Sequence, residues 1–211
     1  MNDLVLKWTA PIHRKYRKEK CDLFFTFLRP SPRDSLLDVG GDAGVLSDEF
    51  ARIYSFFGRV KVVNTRPQSF SGAASRYVSF TVADACALPY SDRSFDWVFS
   101  NAVIEHIGDA LKQLQMAAEI RRVARKGYFV ATPNRAFPID PHTLLPFYHF
   151  FNTGAQRYLS KLSLGHMKHY ETIRILSARD LLKMFPDGSV HKCGTRLFPN
   201  NLVVYRGDEP E

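Results

Sequence analysis

Residues 35–44, SLLDVGGDAG, constrain this chain more than any other stretch. Leu36 to Val39 is a short apolar run bounded by turn residues, which suits the first strand of a parallel sheet buried on both faces. Gly40 and Gly41 allow a sharp turn and a close approach of backbone to a ligand. Gly44 lets the next helix, expected over residues 45–57, pack tightly on the sheet. In such folds ligands sit beyond the carboxyl ends of the strands.

Two phosphate-binding readings of this turn fail. A P-loop needs Lys-Ser or Lys-Thr after its last glycine, and none follows here. A dinucleotide fingerprint needs a second glycine two places after Gly40, where this chain has Asp42, and a third where it has Val45. A carboxylate beside a pyrophosphate is a like-charge contact that costs affinity. With Asp38 at the strand end, the turn is acidic and suits a ligand carrying a cationic amine and no phosphate. S-adenosylmethionine, with its ammonium and sulfonium, is such a ligand.

A family resemblance rests on two stretches. Asp38-Val39-Gly40-Gly41-Asp42-Ala43-Gly44 resembles the first motif of class I S-adenosylmethionine-dependent methyltransferases, D/E-x-G-x-G-x-G, with Asp42 standing at the middle glycine. Val82-Ala83-Asp84-Ala85-Cys86-Ala87-Leu88-Pro89-Tyr90, then Ser94 to Asn101 (SFDWVFSN), then Glu105-His106, is similar to the branch that includes ubiquinone- and menaquinone-biosynthesis methyltransferases. The likeness covers roughly residues 16–134. It implies a Rossmann-like, doubly wound seven-stranded α/β sheet of order 3-2-1-4-5-7-6 with strand 7 antiparallel. It also implies that S-adenosyl-L-methionine is the cofactor, held by Asp38, Gly40, Gly41, Asp42, Gly44, Asn64, Asp84, Ala85 and Asn101. By this resemblance the residue ending the second strand bonds the ribose hydroxyls. That residue is usually acidic and is Asn64 here, so an Asp at this place is expected to bind more tightly. Asp84 would accept from the adenine amino group, and residues 101–107 would abut the methyl group.

The chain reads as one domain of 211 residues. A helix is expected over residues 12–29, with Tyr16, Leu23, Phe24, Phe27 and Leu28 inward. Arg14, Lys15, Arg17, Lys18 and Lys20 lie on its other face, as a solvated surface or an anion-binding rim. Strands are expected over 59–63, 77–82, 94–100 and 127–132. A loop or stunted helix lies at 65–75. A helix over 110–125 would bury Leu111, Leu114, Ala118, Ile120 and Val123, its basic end facing the helix dipole. Residues 133–177 are long for a connection and read as a substrate cap of one or two helices. A Ser177-capped helix (178–185) and strands at 190–193 and 202–205 complete the sheet.

The net charge of +8 permits an acidic partner without choosing one. Cys21, Cys86 and Cys193, odd in number and far apart, suggest reduced thiols of a cytoplasmic protein. Residues 1–20 are broken by charges and do not read as a signal peptide. No apolar run is long enough to span a membrane.

Methyl transfer to a high-pKa oxygen needs a general base, for which His106 and His142 are the candidates. His166 and His169 lack a carboxylate pattern, so no metal is expected. The aromatic run 147–151 reads as core. As a lid beside the basic helix it would permit peripheral membrane contact. The acceptor reads as a small molecule offering a hydroxyl, phenol or acidic carbon, a sugar or lipid-linked precursor among them. A nucleic-acid methyltransferase is the alternative that charge suggests, opposed by the lack of an Asn/Asp-Pro-Pro-Tyr signature after the fourth strand. A degenerate binding module is a further alternative, suggested by Asp42 and Asn64.

Overall fold

The computed structural model describes residues 3–43, 48–70, 76–165, 167 and 170–207. Seven strands form one sheet in the order β3-β2-β1-β4-β5-β7-β6. They are β1 Leu36–Val39, β2 Val60–Asn64, β3 Val78–Val82, β4 Phe95–Asn101, β5 Ala124–Pro133, β6 Ser189–Gly194 and β7 Pro199–Arg206. Pairings among β1 to β5 are parallel, and β7 runs antiparallel to both β5 and β6. Topology and the antiparallel strand are those the family resemblance implied.

Strand alternation sorts the core into two layers. Leu36, Trp97, Phe99 and Phe129 turn to one face, beneath helices α1 (Asp3–Leu28) and α2 (Asp48–Phe57). Leu37, Val98, Tyr128 and Val130 turn to the other, beneath α3 (Ala110–Val123) and α5 (Ala178–Met184). The first layer is aromatic: Phe24 of α1 meets Phe57, Phe99 and Phe129 edge to face, with centroids 5.6–6.0 Å apart. The second is mainly aliphatic.

Several local expectations change. Helix α1 starts well before residue 12 and runs through Pro11, whose missing N–H costs one helical hydrogen bond. In α3 Leu111 and Leu114 are exposed, as is Ala118, and the buried face is Gln113, Met116, Ala117, Ile120 and Val123. Choosing Leu111 rotated the apolar stripe, because buried Gln113 hides the true face in the sequence. Its Nε2 donates to the Ile104 and Arg174 carbonyls. The basic end of α3 is explained by ion pairs more than by the dipole. Arg121 pairs with Asp187 and Arg122 with Glu119 and Asp92, while Arg125 and Lys126, on β5, pair with Asp96 and Asp34.

The connection between β5 and α5 holds α4 (Thr153–Leu159) and two 3-10 turns, Tyr148–Phe150 and Ser160–Leu162. The aromatic run is not core: Phe147, Phe150 and Phe151 are exposed and Tyr148 alone of the run's aromatics is buried. Phe147 sits in a left-handed conformation (φ +57°), so the tight turn fans the rings outward. Ser177 caps α5 in a reciprocal box with Asp180, as expected. Pro199 opens β7 rather than a loop, at the strand position where its missing donor does least harm. The three cysteines are free. Among the described residues no helix is long and apolar enough to cross a membrane.

Candidate active site

Four strands in a row end at one edge of the sheet. In spatial order this edge carries Asp84 after β3, Asn64 at the end of β2, the Gly40–Gly41 turn after β1 and Asn101 at the end of β4. A cavity of about 680 Å³ opens there. Of the expected site residues, Asp38, Gly40, Gly41, Asp42, Asn101, His106 and His142 line it. Asn64, Asp84 and Ala85 do not, and Gly44 lies outside the described residues.

The glycine turn is sterically determined. Gly40 has φ +85°, and a Cβ there would lie 2.4 Å from Cγ2 of Val103. A Cβ on Gly41 would lie 2.7 Å from both Asp38 Oδ2 and Val62 Cγ1. Under the turn the Tyr54 hydroxyl donates to the buried Asp38 carboxylate. Burial pushes the Asp38 carboxyl up to about 7, against the opposing hydrogen bond. Asn64 is bonded to the glycine turn itself. Its Nδ2 donates to the Gly40 and Gly41 carbonyls at 3.3 and 3.1 Å, and its Oδ1 accepts from the Arg66 backbone N–H at 3.2 Å. The side chain is a strut for the glycine turn, and its amide nitrogen is what this bracing requires. Asp84 is exposed and accepts from the Cys86 N–H at 2.9 Å, while Ala85 is buried in the core beside Leu88.

Beyond β4 the chain turns back at Ala102 (φ +55°) into the 3-10 turn Ile104–His106. This puts Glu105 inside and leaves His106 exposed at the cavity wall. Glu105 Oε2 accepts from the Thr132 hydroxyl at 3.0 Å, and burial pushes its carboxyl up. From the connection after β5, His142 comes down on His106, ring centroids 4.9 Å apart and edge to face. Its loop is an Asp140-centred turn, in which one Asp140 oxygen accepts from the His142 and Thr143 N–H groups and the Thr143 hydroxyl at 2.8–3.0 Å. Burial works against the Asp140 charge. The neighbouring His142 and His149 and these N–H bonds outweigh it and hold the carboxyl well below the usual range.

On the facing wall Lys20 of α1 is buried, and its Nζ donates to Asn101 Oδ1 at 2.6 Å. Burial pushes its ammonium down to about 8. The basic face of α1 therefore divides. Arg14 and Arg17 pair with Glu49 and Lys18 with Asp22, while Lys20 enters the cavity wall. A signal for Lys20 existed: it lies four residues from both Tyr16 and Phe24, on the inward stripe.

Residues 37–131 match the sequence family described as a methyltransferase domain. That match covers a little under half of the chain, which in this stretch resembles class I S-adenosylmethionine-dependent methyltransferases. A ubiquinone/menaquinone biosynthesis C-methyltransferase of Hahella chejuensis is 28% identical over 151 residues, 67% of this chain and 56% of that protein. The chain thus spans little more than half of that relative's length. Among solved structures, a methyltransferase of Thermotoga maritima described as a possible histamine N-methyltransferase superposes with TM-score 0.62 at 16% identity, covering 97% of this chain and 94% of that one. Magnesium protoporphyrin IX methyltransferase of Synechocystis, with S-adenosylhomocysteine bound, gives 0.57 at 14%, covering 91% and 83%. These distant structures show the fold.

The carboxyl edge of the sheet has two features that would suit S-adenosylmethionine. The glycine turn brings bare backbone to the cavity, and a buried carboxylate, Asp38, stands beneath it at the cavity wall. The cavity's size lies within the range of small-molecule sites. Three polar residues, Lys20 and Glu105 in the cavity wall and Asp140 behind His142, had been given no separate role from sequence. Glu105 was visible as half of the Glu-His pair. Asp140 precedes Pro-His-Thr in a turn-forming pattern, but its partners are set only by the folded loop.

Proposed function

We propose that the protein transfers a methyl group from S-adenosyl-L-methionine to a small-molecule acceptor bound under the segment 134–177. The observation that carries this reading is the shared cavity: the glycine turn lines one side, and His106 and His142 line the other. The bound cofactor would supply an already activated methyl group. The protein's own task is then to bind, orient and exclude water. Asp38, Gly40, Gly41 and Asp42 would hold the cofactor's amino-acid end, with Asp84 and Ala85 near its base and Asn64 bracing the turn. Phe137, Ile139, Pro141 and Leu144 give the acceptor side apolar walls. His106 and His142 would take the acceptor's proton.

The named quinone-pathway relative acts on carbon by its description, so an acidic carbon joins hydroxyl and phenol among the acceptors to test. The discriminating assay follows label from methyl-labelled S-adenosylmethionine into panels of phenols, hydroxyquinones, sugars and lipid-linked precursors, with tRNA and duplex DNA as the opposing arm. Label entering a small molecule supports the reading. Label entering nucleic acid alone would replace it.

A further inference from the structure

The 3-10 turn after β4 sets Glu105 and His106 side by side, and the loop after β5 returns His142 to them. One ligand atom from each lies within 4.8 Å of the others. Glu105 is fully buried, and while Oε2 is bonded to Thr132, its Oε1 has no hydrogen-bond partner. An unsatisfied buried carboxylate oxygen is costly, and each native example asks for an explanation. Here the oxygen belongs to a residue lining the cavity, next to two imidazoles.

We propose that Glu105, His106 and His142 bind a divalent transition-metal cation, with an oxygen of the methyl acceptor as a further ligand. Two imidazoles and one carboxylate are a donor set suited to zinc and to other first-row divalent ions, and three protein ligands leave coordination positions open. The cavity borders the group, so the open positions face the space the acceptor would occupy. Around an ion held at about 2.0–2.2 Å, donors stand roughly 3–3.5 Å apart. The present spread of up to 4.8 Å therefore closes by side-chain rotation, for which exposed His106 has room. Behind His142, Asp140 Oδ1 lies 3.8 Å from Nδ1, a charge contact longer than a hydrogen bond.

The earlier expectation of no metal rested on His166 and His169, which lie outside the described residues. This group is a different one. The acceptor half of the proposal rests on the methyltransferase reading and narrows it to an oxygen nucleophile. The metal half stands without it.

The test is titration of the chelator-stripped full chain with Co²⁺, read by visible absorption, followed by displacement with Zn²⁺. The expected result is one Co²⁺ per chain, displaced by one Zn²⁺. Glu105→Gln, nearly isosteric, and His106→Ala, at an exposed position, should each weaken uptake roughly 100-fold or more. S-adenosylhomocysteine binding and the melting temperature serve as controls that the variants remain folded. Wild-type protein that takes up neither ion, or folded variants that take them up unchanged, would overturn the site. Metal uptake without S-adenosylhomocysteine binding would count against the methyltransferase reading and leave the site standing.

Discussion

The two ends of the cavity treat their buried polar groups in opposite ways. At the glycine-turn end these groups are tied to the protein: Asp38 to Tyr54, Asn64 to the Gly40 and Gly41 carbonyls, and Ser100 to the Val39 carbonyl at 2.9 Å. At the other end Glu105 keeps one oxygen without a hydrogen bond, beside two imidazoles. Among the described residues the first end is a cradle braced by its own hydrogen bonds. The second retains bonding capacity facing the cavity, at a cost in stability, which is where a reacting group would be recruited.

Substitutions at each end should separate the roles. The largest effect is expected from His142→Ala and His106→Ala, which should lower kcat by about 10²–10⁴-fold whether the ring acts as base or as metal ligand, with the cofactor Kd little changed. Steady-state kinetics beside calorimetry checks this, and a change confined to cofactor affinity would erase the contrast between the ends. At the braced end Gly40→Ala adds a Cβ into Val103 at a positive φ, and should cost about 2–4 kcal/mol of stability. An unchanged urea midpoint would mean that the turn is not rigid.

Asp38 sharpens the comparison through pH. Its folded value, raised to about 7 from 3.8, means that the folded state keeps a proton the unfolded state releases between these values. Its contribution is therefore fully present at acid pH and lost as pH rises from about 4 to about 7. Asp38→Asn should flatten the stability–pH curve across that window by on the order of a few kcal/mol. Glu105, also raised by burial, contributes in the same direction, so some slope remains. Denaturant titrations at pH 4.5 and 7.5 measure the difference, and identical slopes for variant and wild type would contradict the burial of a protonated Asp38. The smallest effect is expected from Asn64→Asp. It would aim a carboxylate at two carbonyl oxygens and weaken cofactor binding by about 1–2 kcal/mol. Tighter binding would return residue 64 to contact with the ribose.

Much of the fold was legible because its signals are local. A buried strand, a glycine turn and the Asp84 and Glu105-His106 stretches sit at fixed places along the carboxyl edge, and the family resemblance they carry implied the strand order. What was missed depended on contacts distant in sequence. The bonds of Asn64 to the turn, more than twenty residues away, leave no trace in the sequence. Gln113 concealed the buried face of α3 because a polar residue is satisfied there only by carbonyls of two other segments. The aromatic run was placed in the core on hydrophobicity alone, whereas the left-handed Phe147 turns it outward.

Calorimetric titration of the purified chain with S-adenosylhomocysteine, and separately with NAD, tests the central claim most directly. Above about pH 7, where Asp38 is ionised, one equivalent of S-adenosylhomocysteine should bind and NAD should not, because the acidic turn at Asp38 and Asp42 then suits an ammonium and disfavours a pyrophosphate. NAD binding without S-adenosylhomocysteine binding would contradict the account.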